Sequence, residues 1–226
     1  IKTMLKLGTY VQIANVVQLF NYRLTYYFIE HFCSRSLLGI YSVGTQLSES
    51  AWLSGKSLAI VQYSKISNTE DMEYAKKLTL LFCKISFLAT LATLIILLII
   101  PHSLFSFVFG KDFTDLFVVI ISLAAGTLFL SISFSFSHFF SGIGKHFHNS
   151  ISSFIGFLFT LSLGYFLIPK YGLIGAGITT SIAYFSIIIY QLFYFIKISK
   201  SSIYDFLITK KDIELLKQEI KNYLKK

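Results

Sequence analysis

The chain has 226 residues, of which 54% are hydrophobic and only 14% are charged, and its formal net charge is +9. Soluble domains carry about a quarter charged residues, so this composition excludes an ordinary water-soluble domain. The charges avoid the long apolar runs and gather in short connectors, which is typical of a polytopic membrane protein and argues against a nucleic-acid partner. Cys33 and Cys83 lie in or beside different apolar segments, and we therefore expect no disulfide, no metal site and no cofactor.

Six apolar segments long enough to cross a bilayer follow one another along the chain. They cover residues 8–32, residues 37–61, a third run that follows the polar connector 63–73 and ends at Ile100 before Pro101, residues 116–140, residues 149–168 and residues 173–196. The tail 197–226 is too polar to span and forms a basic amphipathic helix. The sequence therefore predicts an all-α polytopic membrane protein with a six-helix transmembrane bundle over residues 1–196 and a cytoplasmic tail over residues 197–226.

Lysine and arginine are unequally shared between alternate connectors. One side holds only Arg35, Lys111 and Lys170, whereas the other collects the remaining connector lysines and the lysine-rich tail. The positive-inside rule then predicts a multi-pass protein of the inner (plasma) membrane with both termini in the cytoplasm. The chain begins at Ile1 with a full-length span close behind it and no cleavable signal, so we interpret it as a piece of a longer protein that lacks its N-terminal part.

The first two segments each carry a narrow polar stripe. At about 100° per residue, the stripe residues share one side of each predicted helix. They are Gln12, Asn15, Gln18, Tyr22, Arg23 and Tyr26 on the first helix, and Ser42, Thr45, Gln46, Glu49 and Lys56 on the second. Gly44, Ala51 and Gly55 lie on the opposite side of the second helix. In segments that span a bilayer, this pattern predicts a polar side that faces a wet cavity and a small-residue side that packs on a neighbour.

Arg23 lies about 15 residues, roughly 22 Å, into the first segment, and Glu49 reaches a comparable depth in the second. An unpaired charge at that depth costs at least ~2.5–3.5 kcal/mol, so pairing or a water-filled cavity is nearly required. We interpret Arg23 as a ligand for an anionic group, because its planar guanidinium binds phosphate oxygens bidentately, with Glu49 holding it ready. The alternative is a structural ion pair that fixes helix register.

Other polar residues fall around this pair. Gln46, Asn15 and Gln18 would extend the same lining, and Lys56 either contributes to it or extends to the membrane interface. For Lys84 we expect extension to the interface. We expect His138 and the serines of the fourth segment to form helix–helix hydrogen bonds, with a place in the cavity lining as the alternative, and no residue is a candidate for catalysis.

Five short stretches follow one another along nearly the whole chain: Gln18-Leu-Phe-Asn-Tyr-Arg23-Leu, Leu38-Gly-Ile-Tyr-Ser42, Leu47-Ser-Glu49-Ser-Ala-Trp52, Ser64-Lys-Ile-Ser67 and Ile168-Pro-Lys-Tyr-Gly-Leu-Ile-Gly-Ala-Gly177. In this order they resemble the second half of polysaccharide flippases of the multidrug/oligosaccharidyl-lipid/polysaccharide exporter superfamily. Two positions depart from the family pattern: Thr25 replaces an expected acidic residue, and Gly55-Lys56 replaces a proline.

The resemblance implies one lobe of a two-lobed transporter that works by alternating access and is not an enzyme. The implied substrate is an oligosaccharide linked through diphosphate to a polyprenyl lipid, which moves from the cytoplasmic to the outer leaflet for O-antigen or similar surface polysaccharide. The implied partners are the bilayer, this lipid-linked oligosaccharide, the missing N-terminal lobe, and a polysaccharide polymerase or glycosyltransferases. By this resemblance Arg23 and Lys56 hold the diphosphate.

Three alternatives stay open. An ion-coupled multidrug exporter of the same superfamily would use Glu49, the only central carboxylate. A membrane glycosyltransferase or polymerase would need carboxylates in an external loop, where Asp112 and Asp115 qualify. Finally, a single lobe without its partner would be a non-transporting fragment.

Overall fold

The computed structural model describes the backbone of residues 2–224. It describes side chains for residues 12, 16–21, 23–101, 103–209, 212–217, 219 and 221. This part of the chain contains helices and connectors but no strand. The α-helices are α1 (Lys2–Phe32), α2 (Arg35–Ser67), α3 (Met72–Ile99), α4 (His102–Phe109), α5 (Leu116–Gly142), α6 (Phe147–Ser199) and α7 (Lys210–Leu224). Two 3-10 helices lie at Lys111–Phe113 and Ile203–Phe206. The predicted all-α class is confirmed.

Helix α6 is a hairpin of two antiparallel arms, residues 147–171 and 173–199. Gly172 breaks it with φ 54° and ψ −127°, a backbone conformation that glycine adopts without steric cost. The arms then run side by side, because the His148 ring nitrogen Nδ1 lies 3.1 Å from the Tyr190 hydroxyl and the Gln191 amide donates to Ser152 at 3.3 Å. The chain reverses at the predicted boundary between the fifth and sixth segments.

Three helices of the described chain are long and apolar enough to cross a membrane: Met72–Ile99, Lys111–Gly142 and Phe147–Ser199. These helices indicate a membrane protein. Because the third candidate contains the Gly172 reversal, its two arms provide two separate apolar helices. The predicted bundle of six spans stays a prediction.

Helix α5 is the centre of the packing and contacts α2, α3 and α6, whereas α1 packs mainly on α6. Small residues allow these close approaches. A Cβ atom added to Gly44 would lie 2.7 Å from Val119 of α5, and one added to Gly55 would lie 3.2 Å from Ser86 of α3. The predicted small-residue side of α2 therefore does pack on its neighbours.

Helices α1 and α2 contact each other much less than α1 contacts α6 or α2 contacts α5. They do meet at Tyr26 and Tyr41, whose rings lie edge to face with centroids 5.4 Å apart. Because α1 packs on α6 and α2 packs on α5, a gap remains between α1 and α2.

Candidate functional site: a polar cavity between α1 and α2

The gap between α1 and α2 contains a cavity of about 230 Å³. Each of α1, α2, α5 and both arms of α6 contributes lining residues. The polar ones are Gln18, Lys56, Ser133, Ser137, His138, Ser141, His146, Asn149, Ser150, Ser153 and Gln191, and the apolar ones are Leu130, Phe134 and Ile187. A concentration of hydroxyl, amide and imidazole groups among apolar helices indicates a hydrated chamber that can bind a polar ligand.

Lys56 is the only lysine or arginine among the described residues that line this cavity. Its ammonium group lies 5.4 Å from the centre of the Trp52 ring, within the range of a cation–π contact. Trp52 in turn packs against Phe134 of α5, with ring centroids 5.1 Å apart. The aromatic pair thus supports the stem of Lys56 where its charge reaches the cavity.

Hydrogen bonds between helices hold the polar wall in place. The Ser133 hydroxyl donates to the Gln191 side-chain oxygen at 2.7 Å, and the Ser153 hydroxyl donates to Gln18 of α1. The Asn149 amide donates to the Ser137 carbonyl at 2.9 Å and to the Ser141 hydroxyl at 3.0 Å. These groups are ordered before a ligand arrives, which reduces the entropic cost of binding.

His138 has a defined tautomer when neutral. Its Nδ1 atom lies 2.8 Å from the Phe134 carbonyl oxygen, so Nδ1 carries the proton and Nε2 is the nitrogen with the lone pair. A neutral His138 therefore has a hydrogen-bond acceptor at Nε2 among the residues that line the cavity.

Two of the predicted site residues, Gln18 and Lys56, come together at the cavity. The structure does not place Arg23, Gln46 or Glu49 in its lining. Arg23 is exposed, and its guanidinium carbon lies 5.1 Å above the Tyr26 ring, on the side of α1 that faces α2. Glu49 lies within electrostatic range of both Arg23 and Lys56.

The predicted Arg23–Glu49 pair is not a direct contact. Among the described residues, no ion pair within 4.0 Å joins these two side chains. Gln46 is exposed on the same open side of α2. The side chain of Asn15 lies outside the described residues. The binding roles of all six residues remain predictions.

The face of α1 that packs on α6 carries polar residues that the stripe analysis missed. Asn21 and Thr25 are both buried. Asn21 accepts a hydrogen bond from Thr160 at 2.7 Å, and the Thr25 and Thr180 hydroxyls lie 3.2 Å apart. Position 25 therefore faces α6 rather than the cavity.

Most residues of the cavity wall carry no clear signal in the sequence. Ser133 was predicted to form helix–helix hydrogen bonds, and it does so while also lining the cavity. No periodic pattern links Asn149, Ser153 and Gln191, because the first two lie in one arm of the α6 hairpin and Gln191 lies in the other.

Comparison with known proteins gives two relevant similarities. The chain is 28% identical over 170 residues to a capsular polysaccharide biosynthesis protein, CapF, of Staphylococcus aureus, a match that covers 74% of this chain and 43% of that protein. It is 31% identical over 98 residues to an uncharacterized membrane protein of Methanocaldococcus jannaschii, covering 43% of this chain and 19% of that protein. The chain thus spans less than half the length of either relative.

No family model matches the chain, and no solved structure matches it. The similarity to a capsular polysaccharide protein, together with the apolar helices, is consistent with a polysaccharide-related role in a membrane.

Proposed function

We propose that this chain is one lobe of a transporter that flips polyprenyl-diphosphate-linked oligosaccharide from the cytoplasmic to the outer leaflet by alternating access. The observation that carries the proposal is the polar cavity with Lys56 in its lining, set among apolar helices. A sugar-diphosphate headgroup needs a hydrated, hydrogen-bonding and cationic surface, whereas its polyprenyl tail can stay in the bilayer.

The roles follow from the chemistry of the lining. Lys56 binds the diphosphate as a point charge, and Arg23, farther along the same gap, binds it through its planar guanidinium as the headgroup moves. Hydroxyl and amide groups such as Gln18 and Ser150 hydrogen-bond to the sugars. In this role the chain moves the substrate across the membrane without changing it chemically.

The size of the cavity supports a shared binding site. At about 230 Å³ it is smaller than the ~300–1,000 Å³ typical of small-molecule sites, and an oligosaccharide needs more room than that. The exposed side of the gap, where Arg23, Gln46 and Glu49 lie, would then face a second lobe that completes the chamber.

The test is complementation of a strain that lacks its polysaccharide flippase, using the full-length gene that contains this chain. Lys56→Gln and Arg23→Ala are each expected to reduce surface polysaccharide at least tenfold and to cause accumulation of lipid-linked oligosaccharide in the cytoplasmic leaflet. Lys56→Arg and Arg23→Lys should retain part of the export, because they keep the charge.

The matched control is Lys170→Gln, which removes one positive charge from an exposed position near the Gly172 reversal. It should export normally at equal protein level. Normal export by both Lys56→Gln and Arg23→Ala would contradict the proposed substrate site. Loss of export in Glu49→Gln with dependence on an ion gradient would instead favour the ion-coupled exporter.

A further inference from the structure

The chain after α6 forms a hook that lies against α3. Lys200 turns the backbone with φ 52° and ψ 35°, and Ser202 and Asp205 close the following 3-10 helix with a capping box. Residues 203–208, here called the hook, then lead into α7, whose first turn is fixed by Asp212 accepting from the Thr209 backbone N–H and hydroxyl.

Ion pairs fasten this tail to the bundle. The Lys84 ammonium group lies 2.9 Å from both carboxylate oxygens of Asp212, and Lys76 lies 3.5 Å from Asp205. Lys65 of α2 pairs with Glu219. Lys84 therefore does not extend to the interface as the sequence suggested, but pairs with the tail.

The order of these contacts shows how deep the tail reaches. Glu219 bonds to Tyr74 near the start of α3, whereas Asp212 meets Lys84, which lies 12 residues or about 18 Å along the helix from Met72. Within the hook, Asp205 pairs with Lys76 in the first turns of α3, whereas Leu207 and Ile208 lie farther along and share a groove with Phe87 and Leu88. The end of the hook thus reaches into the apolar span of α3, and α7 returns toward its charged end.

The outer side of the hook is apolar. Exposed fractions are 76% for Ile203, 79% for Tyr204, 63% for Leu207 and 61% for Ile208. The groove between the hook and α3 has a volume of about 380 Å³ and is lined mainly by apolar side chains. This apolar surface is continuous with the exposed side of a helix that is long and apolar enough to span a bilayer, so acyl chains are the surroundings that it fits.

Charge is segregated across the tail. Three of its four carboxylates, Asp205, Asp212 and Glu219, pair with lysines of α2 and α3. The ion pairs found in the described part of the chain include no lysine of the tail itself. Lys200, Lys217 and Lys221 are exposed and outnumber the fourth carboxylate, Glu214, which is also exposed, so the outward side of the tail carries net positive charge.

We propose that the hook and α7 together form a binding site for anionic phospholipid of the leaflet on the tail side of the membrane. The end of the hook, at Leu207 and Ile208, lies among the acyl chains beside α3, and the exposed lysines of the tail contact headgroup phosphates nearer the surface. This site is separate from the transport cavity and does not rest on the proposed function.

The experiment places a single tryptophan in the hook. Trp52, the only tryptophan, is replaced by Phe, and Leu207→Trp is added; Glu70→Trp, at an exposed position between α2 and α3, is the control. The chain is placed in nanodiscs of fixed composition, phosphatidylcholine with phosphatidylglycerol, in which either lipid carries bromine on its acyl chains as a fluorescence quencher.

We expect both brominated lipids to quench the fluorescence of Leu207→Trp. Relative to its amount, brominated phosphatidylglycerol should quench more than brominated phosphatidylcholine. The fluorescence of Glu70→Trp should be quenched little by either lipid. Enrichment of anionic lipid on the order of fivefold is expected for each lysine near the surface. The double variant Lys217→Gln/Lys221→Gln should reduce the preference by about fivefold or more, with Lys200 retaining part of it. The charge-matched control Lys111→Gln/Lys170→Gln should keep it.

Two results would overturn the proposal. If Leu207→Trp is quenched by neither lipid, the hook lies in water or against another protein. If both lipids quench it equally in proportion to their amounts, the site has no anionic selectivity. Because neither readout depends on transport, a failure here leaves the proposed function standing, and the reverse also holds.

Discussion

A single buried amide links three helical segments at the cavity wall. The Gln191 side chain accepts from Ser133 of α5 and donates to Ser152 in the opposite arm of α6. We expect Gln191→Leu to lower the free energy of unfolding by about 1–2 kcal/mol, since hydrogen bonds between membrane helices have this strength. Thermal unfolding in detergent measures the change, with Gln46→Leu as an exposed control that should be close to neutral. An equal loss in both variants would contradict a specific role for the amide.

At the scale of residues, the sequence foresaw those parts of the site that share one helix. Lys56 and Gln18 were found because a polar side chain in an apolar helix stands out by its angle alone. Asn149 and Gln191 were not foreseen, because their meeting depends on where α6 reverses and on how the arms align. The Arg23–Glu49 contact was expected from equal depth, but α1 and α2 make few contacts with each other, and equal depth alone does not bring two side chains together.

Helix α5 and the second arm of α6 approach so closely that only small residues fit between them. A Cβ atom on Gly126 would lie 2.6 Å from the Ser181 Cα, and the Ser181 hydroxyl donates to the Ser122 carbonyl at 2.8 Å. Gly126→Val should therefore push the helices apart and destabilise the bundle by about 1–3 kcal/mol or more. The control is Gly39→Ala, since nothing lies within 4 Å of an added Cβ there. Thermal unfolding of both variants is the measurement, and an unchanged midpoint for Gly126→Val would refute the tight contact.

The ion pair between Lys84 and Asp212 is the most enclosed contact between the tail and α3, with side-chain exposures of 8% and 15%. We expect Lys84→Met to release the tail, because removing one partner leaves a charge without compensation at a cost of about 3–5 kcal/mol. Lys77→Met is the matched control, since its pair with Glu73 is 60% and 59% exposed and such pairs contribute about 0–1 kcal/mol. Limited proteolysis after Lys210 or Lys211 should become faster in Lys84→Met alone.

The attachment of the tail should also depend on pH. The hydrogen bond from the Ser202 backbone N–H, with help from Lys76, lowers the pKa of Asp205. Burial raises the pKa of Asp212, but hydrogen bonds from Lys84 and Thr209 outweigh it and leave that pKa below its ordinary value. Groups with a lowered folded pKa stabilise the docked form above about pH 4 and lose this contribution as the pH falls through the folded value.

Emission of the Leu207→Trp variant in detergent should accordingly stay constant from neutral pH to about pH 5 and change only below about pH 4. A transition near neutral pH would show that other groups control the docking. The variant Asp205→Asn should dock more weakly above pH 5 and show a smaller change on acidification.

At the scale of the whole molecule, apolar length predicted the all-α class, whereas the six spans stay a prediction. The reversal at Gly172 was foreseen because Pro169 and Gly172 interrupt an apolar run. The path of the tail was not foreseen, because its apolar face and its lysines fit either a helix on the membrane surface or a helix in water. The tail is held against the bundle by ion pairs that join Asp205, Asp212 and Glu219 to distant lysines of α2 and α3. Such long-range contacts leave no periodic signal in the sequence.

The arrangement of six spans can be tested through the connectors. With Cys33 and Cys83 replaced by Ala, single cysteines are introduced by Lys111→Cys, Lys145→Cys and Lys170→Cys, all at exposed positions. A membrane-impermeant maleimide on intact cells should label positions 111 and 170, and position 145 only after the membrane is permeabilised. Position 170 is decisive, because it lies two residues before the reversal at Gly172. If α6 crossed the membrane only once, without reversing, position 170 would lie among acyl chains and stay unlabelled from either side.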